Sequence, residues 1–199
     1  MRRVLWWFFI LAGLVEGTLT AKIWLRAQPT QPPAVVVQKE ENLPQQLWIP
    51  KLGVTTRVEA VGLDSDGEMV MPENPDSVAW YQSGSKLGEK GNLVIAGHLD
   101  SKTGPAVFYR LSLLTLGDEI IVSDQNQKEY YFVVVKKETY DEDQFPIGEV
   151  FGGNDKSQLN LITCRGQFDR TTKRYTKRVV VFSELKEQKT SPAPAETKP

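Results

Sequence analysis

The chain has 199 residues, 40% hydrophobic and 25% charged, which suits one domain of ordinary size and leaves little room for a second. Twenty-four Lys and Arg stand against 25 Asp and Glu, a formal charge of −1, so there is no overall basic field of the kind that binds nucleic acid. One cysteine and one histidine exclude an internal disulfide and leave a metal centre without a full set of neighbouring ligands.

In chain order, MRRVLWWFFILAGLVEGTLTAKIWLRA comes first, with Arg2 and Arg3 ahead of an apolar run from Val4 to Val15 that continues unevenly to Ala21. That run is about 18 residues, close to the ~20 that span a bilayer as a helix. Residues 1–26 therefore read as an uncleaved membrane anchor or as a cleaved secretory signal with its apolar region at Leu5 to Val15. The poor cleavage site in GTLTAK favours the anchor. Glu16 is costly in lipid, and Lys22 with Arg26 weakens the positive-inside asymmetry. A buried globular helix is the third reading, and either of the first two puts the bulk of the chain outside the cytoplasm.

Residues 27–44 are rich in Pro and Gln and read as an extended linker, while the polar, Pro-rich residues 187–199 read as a disordered tail. The folded unit is expected over 45–186. Within it, short β-branched and aromatic runs follow one another: LWIPKLGV, TTRVEAVGL, NLVIAGHL, DEIIVSD, EYYFVVVKK, LNLITC and RYTKRVVVF. Breaks rich in Gly, Asn, Asp or Pro separate them (DSDGE, ENPDS, LGEKGN, SDQNQ, GGND), so the pattern predicts an all-β domain, closed or sandwiched. Helix is confined to small pieces. GPAVFYRLSLL has Pro105 where a first helical residue tolerates the missing N–H, and EDQFPIGEVF has room for a turn or two.

The single cysteine, Cys164, ends one apolar strand, and the single histidine, His98, ends another. A buried inert thiol is the plain reading of the first. The pair suggests more, because a nearby imidazole or fixed cation favours the thiolate and the imidazole serves as acid for a leaving group. RYTKRVVVF adds Arg174 and Arg178, on one strand face beside Thr176, as candidate cations; solvated strand ends are the alternative.

These residues resemble the sortases, cysteine transpeptidases of the Gram-positive cell surface. LNLITC resembles the family's strand ending in Thr-x-Thr-Cys, with Asn160 in place of the first Thr, and GNLVIAGHLD resembles the strand bearing the catalytic histidine. LWIPKLGV, VAWY, LGDEIIV and KRVVVF resemble the opening strand, the segment before the histidine strand, the strand after it and the final strand with its arginine. The six stand in the family's order and cover nearly all of the folded unit.

The resemblance implies a closed β-barrel of about eight strands with short helical segments, preceded by a membrane helix. It implies Cys164 as nucleophile, His98 as acid and base, and Arg178 as the cation steadying substrate and oxyanion. Arg174 is the reserve, since CRGQFDRTTKRY and GHLDSKTGPAVFYRL also resemble a subgroup called class F. The implied substrates are secreted proteins with a C-terminal sorting signal like Leu-Pro-x-Thr-Gly, and the implied acceptor is an amine of peptidoglycan precursor or a pilin lysine. Asp100, two residues beyond His98, is a possible orienting group for the imidazole, although HLDSKTG is already turning into a loop. Thr163 faces opposite to Cys164 and is expected to pack. Thr139 to Lys156 is expected to form one wall of the peptide groove.

No cofactor is expected. Some sortases use calcium through loop carboxylates, and Asp141 to Gln144 is the one acidic cluster in a suitable loop, read here as solvated. GEKGN lacks the setting and lysine spacing of a phosphate loop. Three alternatives stay open: an L,D-transpeptidase, although NLIT lacks its Ser/His-x-Gly run; a tethered β-barrel binding module using Trp80 and Tyr81; and an inactive sortase-like scaffold.

Overall fold

A computed structural model describes residues 42–190. The expected membrane segment and most of the linker and tail lie outside the described residues, and no helix among those described is long and apolar enough to cross a membrane.

Strand β1 (Pro44–Ile49) points Leu47 and Ile49 inward and Trp48 outward. The LWIPKLGV run, expected as one strand, breaks here, because Pro50 has no N–H for the ladder and Pro50–Leu52 forms a 3-10 turn. β2 (Val54–Val61) returns antiparallel to β1, and a long connection then brings β3 (Val78–Tyr81) parallel to β2. β4 (Gly91–Gly97) is antiparallel to β3 and is buried along its whole length. A small ribbon of β5 (Asp100–Ser101) and β6 (Gly104–Pro105) follows.

GPAVFYRLSLL does not form the expected helix: Pro105 sits in β6 opposite Asp100, and the only helical turn is 3-10, at Leu111–Leu113. The backbone shows why. The amides of Ala106, Val107 and Phe108 donate to the carbonyls of Leu99, Pro75 and His98, at 2.9 to 3.1 Å, instead of to carbonyls one helical turn back.

β7 (Glu119–Asp124) and β8 (Lys128–Asp141) form a hairpin. The EDQFPIGEVF segment then makes a 3-10 turn at Glu142–Gln144 and the helix α1 (Ile147–Phe151), as its composition suggests. β9 (Ser157–Asp169) runs parallel to β4, and β10 (Arg174–Thr190) pairs antiparallel with both β9 and β8. Pairing of β7 with β1 closes an eight-strand barrel in the order β1-β2-β3-β4-β9-β10-β8-β7.

Strand alternation sorts the apolar residues into two clusters. Leu47, Ile49, Leu93, Ile95, Phe132, Leu159, Leu161, Val179 and Val181 belong to the barrel interior. Val94, Ala96, Ile162, Val180 and Phe182 face outward from β4, β9 and β10 and are covered by Val150 of α1 with Met69, Met71, Tyr81, Tyr140, Phe145 and Phe151. Burying each such large side chain contributes about 1.5–3 kcal/mol, so α1 is held mainly by what lies beneath it. Two buried side chains add direction: the Nδ2 of Asn92 donates to the Glu149 carbonyl at 2.9 Å and that of Asn160 to the Val150 carbonyl at 2.8 Å.

Candidate active site

The outward cluster lies on the face that also carries the candidates Cys164 and Arg178. β4 and β9 run side by side in parallel, with Ala96 opposite Ile162, and two residues further along each strand path come His98 and Cys164. On the other side of β9, Arg178 is the direct cross-strand partner of Cys164, in step with Val180 opposite Ile162. Residues two apart on a strand share a face, so the thiol and the guanidinium continue the face that holds Ile162 and Val180. Separations of 66 and 14 residues along the chain thus collapse onto three neighbouring strands: His98 directly follows β4, whereas Arg178 lies within β10 and Cys164 within β9, which runs on to Asp169 instead of ending at the thiol as expected.

Opposite parity puts Thr163 inside the barrel, but its role is more than packing. Its Oγ1 donates to the carbonyl of Gly97 at 2.9 Å, joining β9 to the last residue of β4 just beyond the final backbone pair, Ala96↔Ile162. Gly97 itself leaves space for a ring, since a Cβ there would lie 2.5 Å from Phe108 Cδ2. The Phe108 amide binds the His98 carbonyl at 2.9 Å, so backbone and ring together fix the strand end that carries the imidazole.

The His98 Nε2 lies 2.9 Å from the carbonyl oxygen of Pro72, in the connection between β2 and β3. A carbonyl only accepts, so Nε2 bears a proton in this contact and Nδ1 is the nitrogen left for proton exchange. Asp100 does not serve as the orienting group considered from the sequence. Strand β4 ends at Gly97, the same-face relation of residues 98 and 100 is lost, and the Asp100 carboxylate accepts instead from the Tyr175 hydroxyl. That bond, followed by burial, pushes the Tyr175 phenol up to about 12.

Cys164 is partly buried. Burial pushes its thiol up; Arg178 draws it back down, Glu142 and Asp100 raise it, and Arg174 lowers it again. Arg178 is also the better held of the two arginines: its side chain is 19% exposed against 43% for Arg174. Its Nη1 donates to the carbonyls of Tyr175 at 2.8 Å and Lys177 at 3.1 Å, and its Nη2 donates to Glu142 Oε1 at 2.7 Å. Arg174 reaches the same Glu142 oxygen through Nε at 2.5 Å and Glu68 through Nη1 at 2.6 Å.

The acidic stretch 141–144 is therefore engaged with β10 and not simply solvated: Glu142 holds both arginines and Asp141 pairs with Lys177. Among the described residues no group of three or more His, Cys, Asp or Glu is arranged to hold a metal. An open depression of about 660 Å³ is lined by Asp141, Glu142, Asp143, Gln144, Arg174 and Thr176. Trp80 and Tyr81, considered as ligand contacts, are structural. Trp80 is 3% exposed in the interior, and Tyr81 packs edge-on against Phe151 with ring centroids 5.6 Å apart.

Tyr175 and Pro72 were not legible as parts of this site, nor was Glu142 as the partner of both arginines, although it lies in the expected groove wall. Its only signal was the acidic cluster 141–144, 32 residues before Arg174, and the rim residue Glu68, 106 residues from Arg174, carried none.

The sortase domain family model matches residues 47–186. Similar solved structures include sortase A of Listeria monocytogenes (22% identity, 76% of this chain and 92% of that one, TM-score 0.59) and sortase A of Actinomyces oris (25%, 83% and 93%, 0.57). Sortase C1 of Streptococcus agalactiae is also similar (20%, 76% and 70%, 0.57). None of the curated proteins compared with the chain matches it. With a family match over most of its length and the same closed barrel as these structures, the chain belongs to the sortase family of cysteine transpeptidases.

Proposed function

We propose that the protein is an active transpeptidase that cleaves a sorting signal resembling Leu-Pro-x-Thr-Gly between Thr and Gly and passes the acyl group to an amine. The observation that carries this reading is that Cys164 and Arg178 are direct cross-strand partners on β9 and β10, with His98 immediately after β4, the strand parallel to β9 on its other side.

Transfer of the thiol proton to Nδ1 of His98 leaves thiolate and imidazolium. The thiolate attacks the threonine carbonyl carbon, forming a C–S bond and an oxyanion that the Arg178 guanidinium stabilises with a fixed, permanent charge. Collapse breaks the C–N bond, and the imidazolium protonates the departing glycine amine, without which an amide nitrogen leaves poorly. An acceptor amine then attacks the thioester, gives a proton to neutral His98, and expels the thiolate.

The acceptor is an amine of peptidoglycan precursor or a pilin lysine, and the cargo is a secreted protein. Residues 1–26 hold the domain at the outer face of the membrane as an anchor and the linker, which ends where β1 begins at Pro44, is its tether; of the expected tail 187–199, residues 187–190 instead extend β10 along β8, and 191–199 are the tail. The wall formed by Thr139 to Lys156 contacts the signal peptide. The class F reading rests on CRGQFDRTTKRY and GHLDSKTGPAVFYRL.

The test is acyl transfer by the full chain to peptides varied around Leu-Pro-x-Thr-Gly, followed by intact mass. A thioester adduct that discharges to an added amine, is absent in Cys164→Ala and falls sharply in His98→Ala and Arg178→Ala is expected. A stronger loss in Arg174→Ala than in Arg178→Ala would reassign the cation. No adduct from a folded protein whose thiol a small alkylator reaches would favour an inactive scaffold.

A further inference from the structure

Four alternating charges run toward the thiol: Glu68 to Arg174, Arg174 to Glu142, Glu142 to Arg178. Side-chain exposure falls along this chain, from 52% at Glu68 and 43% at Arg174 to 27% at Glu142 and 19% at Arg178. Solvent screens the outer pair strongly and the inner pair less, so the charge that matters at Cys164 is set by Glu142 and Arg178.

The guanidinium is constrained on two sides. Two carbonyls of its own strand take Nη1, one oxygen of Glu142 takes Nη2, and Nε has no protein acceptor among the described residues. A planar fork held in this way keeps its orientation before substrate arrives and still has an N–H to offer. Glu142 reaches it from outside the sheet, on the 3-10 turn that precedes α1, and nothing in the reaction described above uses that carboxylate.

We propose that Glu142 is a positioning residue for the acyl-transfer reaction, orienting the Arg178 guanidinium and offsetting its charge at Cys164. This inference rests on the reading of Arg178 as the cation of the site. The charged and titratable groups around the thiol are Arg178, Arg174 and Tyr175 on β10, Glu142 on the 3-10 turn, Asp100 on β5 and His98 beyond β4. Of these, Glu142 is the one bonded to both arginines. Its removal therefore changes both the direction of the guanidinium and the net charge that the thiol meets.

The experiment uses the full chain with Glu142→Gln, Glu142→Ala and, as a rim control, Glu68→Gln. The first readout is the pH midpoint for alkylation of Cys164 by iodoacetamide, which needs no peptide. The second is kcat and KM for peptide transfer. Loss of the negative charge is expected to lower the midpoint by about half a pH unit or more in both Glu142 variants. Glu142→Ala is expected to lose about ten- to a hundredfold in kcat with KM little changed, since the guanidinium loses its direction. Glu142→Gln, whose amide oxygen still accepts from Nη2, should keep most of kcat, and Glu68→Gln should match the wild type in both readouts.

An unmoved midpoint in Glu142→Gln overturns the proposal, and so does a rise in kcat/KM in Glu142→Ala, which would make the carboxylate a blocking group. If Glu142→Ala does not fold, the glutamine variant decides through its midpoint. A wild type that alkylates normally but transfers no acyl group would sink the transpeptidase reading alone, leaving the midpoint comparison to judge Glu142.

Discussion

Cys164 lies under opposed influences whose signs can be tested separately. Burial raises its proton affinity and the adjacent Arg178 reduces it, so Arg178→Gln should move the alkylation midpoint further up; a midpoint that holds still or falls would uncouple the two groups. The raised folded-state value also links the thiol to stability. The folded state binds this proton more tightly than the unfolded chain, so the contribution is complete below the ordinary thiol value of about 8.5 and is lost as pH rises through the folded value. A Cys164→Ala variant should therefore show a flatter decline of stability above that range in urea titrations at stepped pH. Thr163 makes a second residue-scale case. Thr163→Val keeps the shape but removes the bond to the Gly97 carbonyl, with an expected cost of about 1 kcal/mol and a fall in kcat. Thr163→Ser should restore both, and a valine variant as active as wild type would leave Thr163 with packing alone. Alternation along LNLITC was enough to assign Thr163 inward, but its acceptor sits on a strand 66 residues away and has no local signature.

Elements in this domain answer to their neighbours as much as to their own sequence. α1 has five residues, too few for an isolated helix, and it persists because Val150 covers the outward cluster while Asn92 and Asn160 bond its carbonyls. Asn160→Ala should cost about 1 kcal/mol and speed amide exchange in α1 ahead of the barrel strands. Uniform acceleration across the barrel would mean that the asparagine supports the sheet, and not the helix. The segment after β6 makes the converse point. Its composition allows a helix from Pro105, yet the strand-end carbonyls of His98 and Leu99 capture its amides and leave only one 3-10 turn. Gly166 explains a third local feature. Its φ of +87° and the 2.4 Å approach of Thr176 Oγ1 to a would-be Cβ mark the irregularity between Tyr175 and Lys177 that precedes the Arg178↔Cys164 pair.

For the whole molecule, closure of the barrel depends on β10, which pairs with β9 from Arg174 to Glu184 and with β8 from Lys177 to Thr190. The β8 pairing continues through Glu187↔Tyr131 to Thr190↔Lys128, and Lys189 Nζ lies 4.3 Å from the Tyr131 ring centroid. Ending the chain after Leu185 is therefore expected to cost about 1–2 kcal/mol against one ending after Thr190, read as a lower urea midpoint; superimposable curves would show the last residues of β10 to be dispensable. By itself the sequence determined the β class, the opposed facing of Thr163 and Cys164, and the candidates Cys164, His98 and, through the family resemblance, Arg178. Strand periodicity is written over a few consecutive residues, and a lone thiol or imidazole is conspicuous wherever it falls. Only the tertiary structure decided that Tyr175 and not His98 takes Asp100, that Pro72 meets the imidazole, and that Glu142 ties Arg178 to Arg174. Those contacts join residues 26 to 75 apart in the chain, and they exist because barrel closure brings separate strand ends and connections to one place.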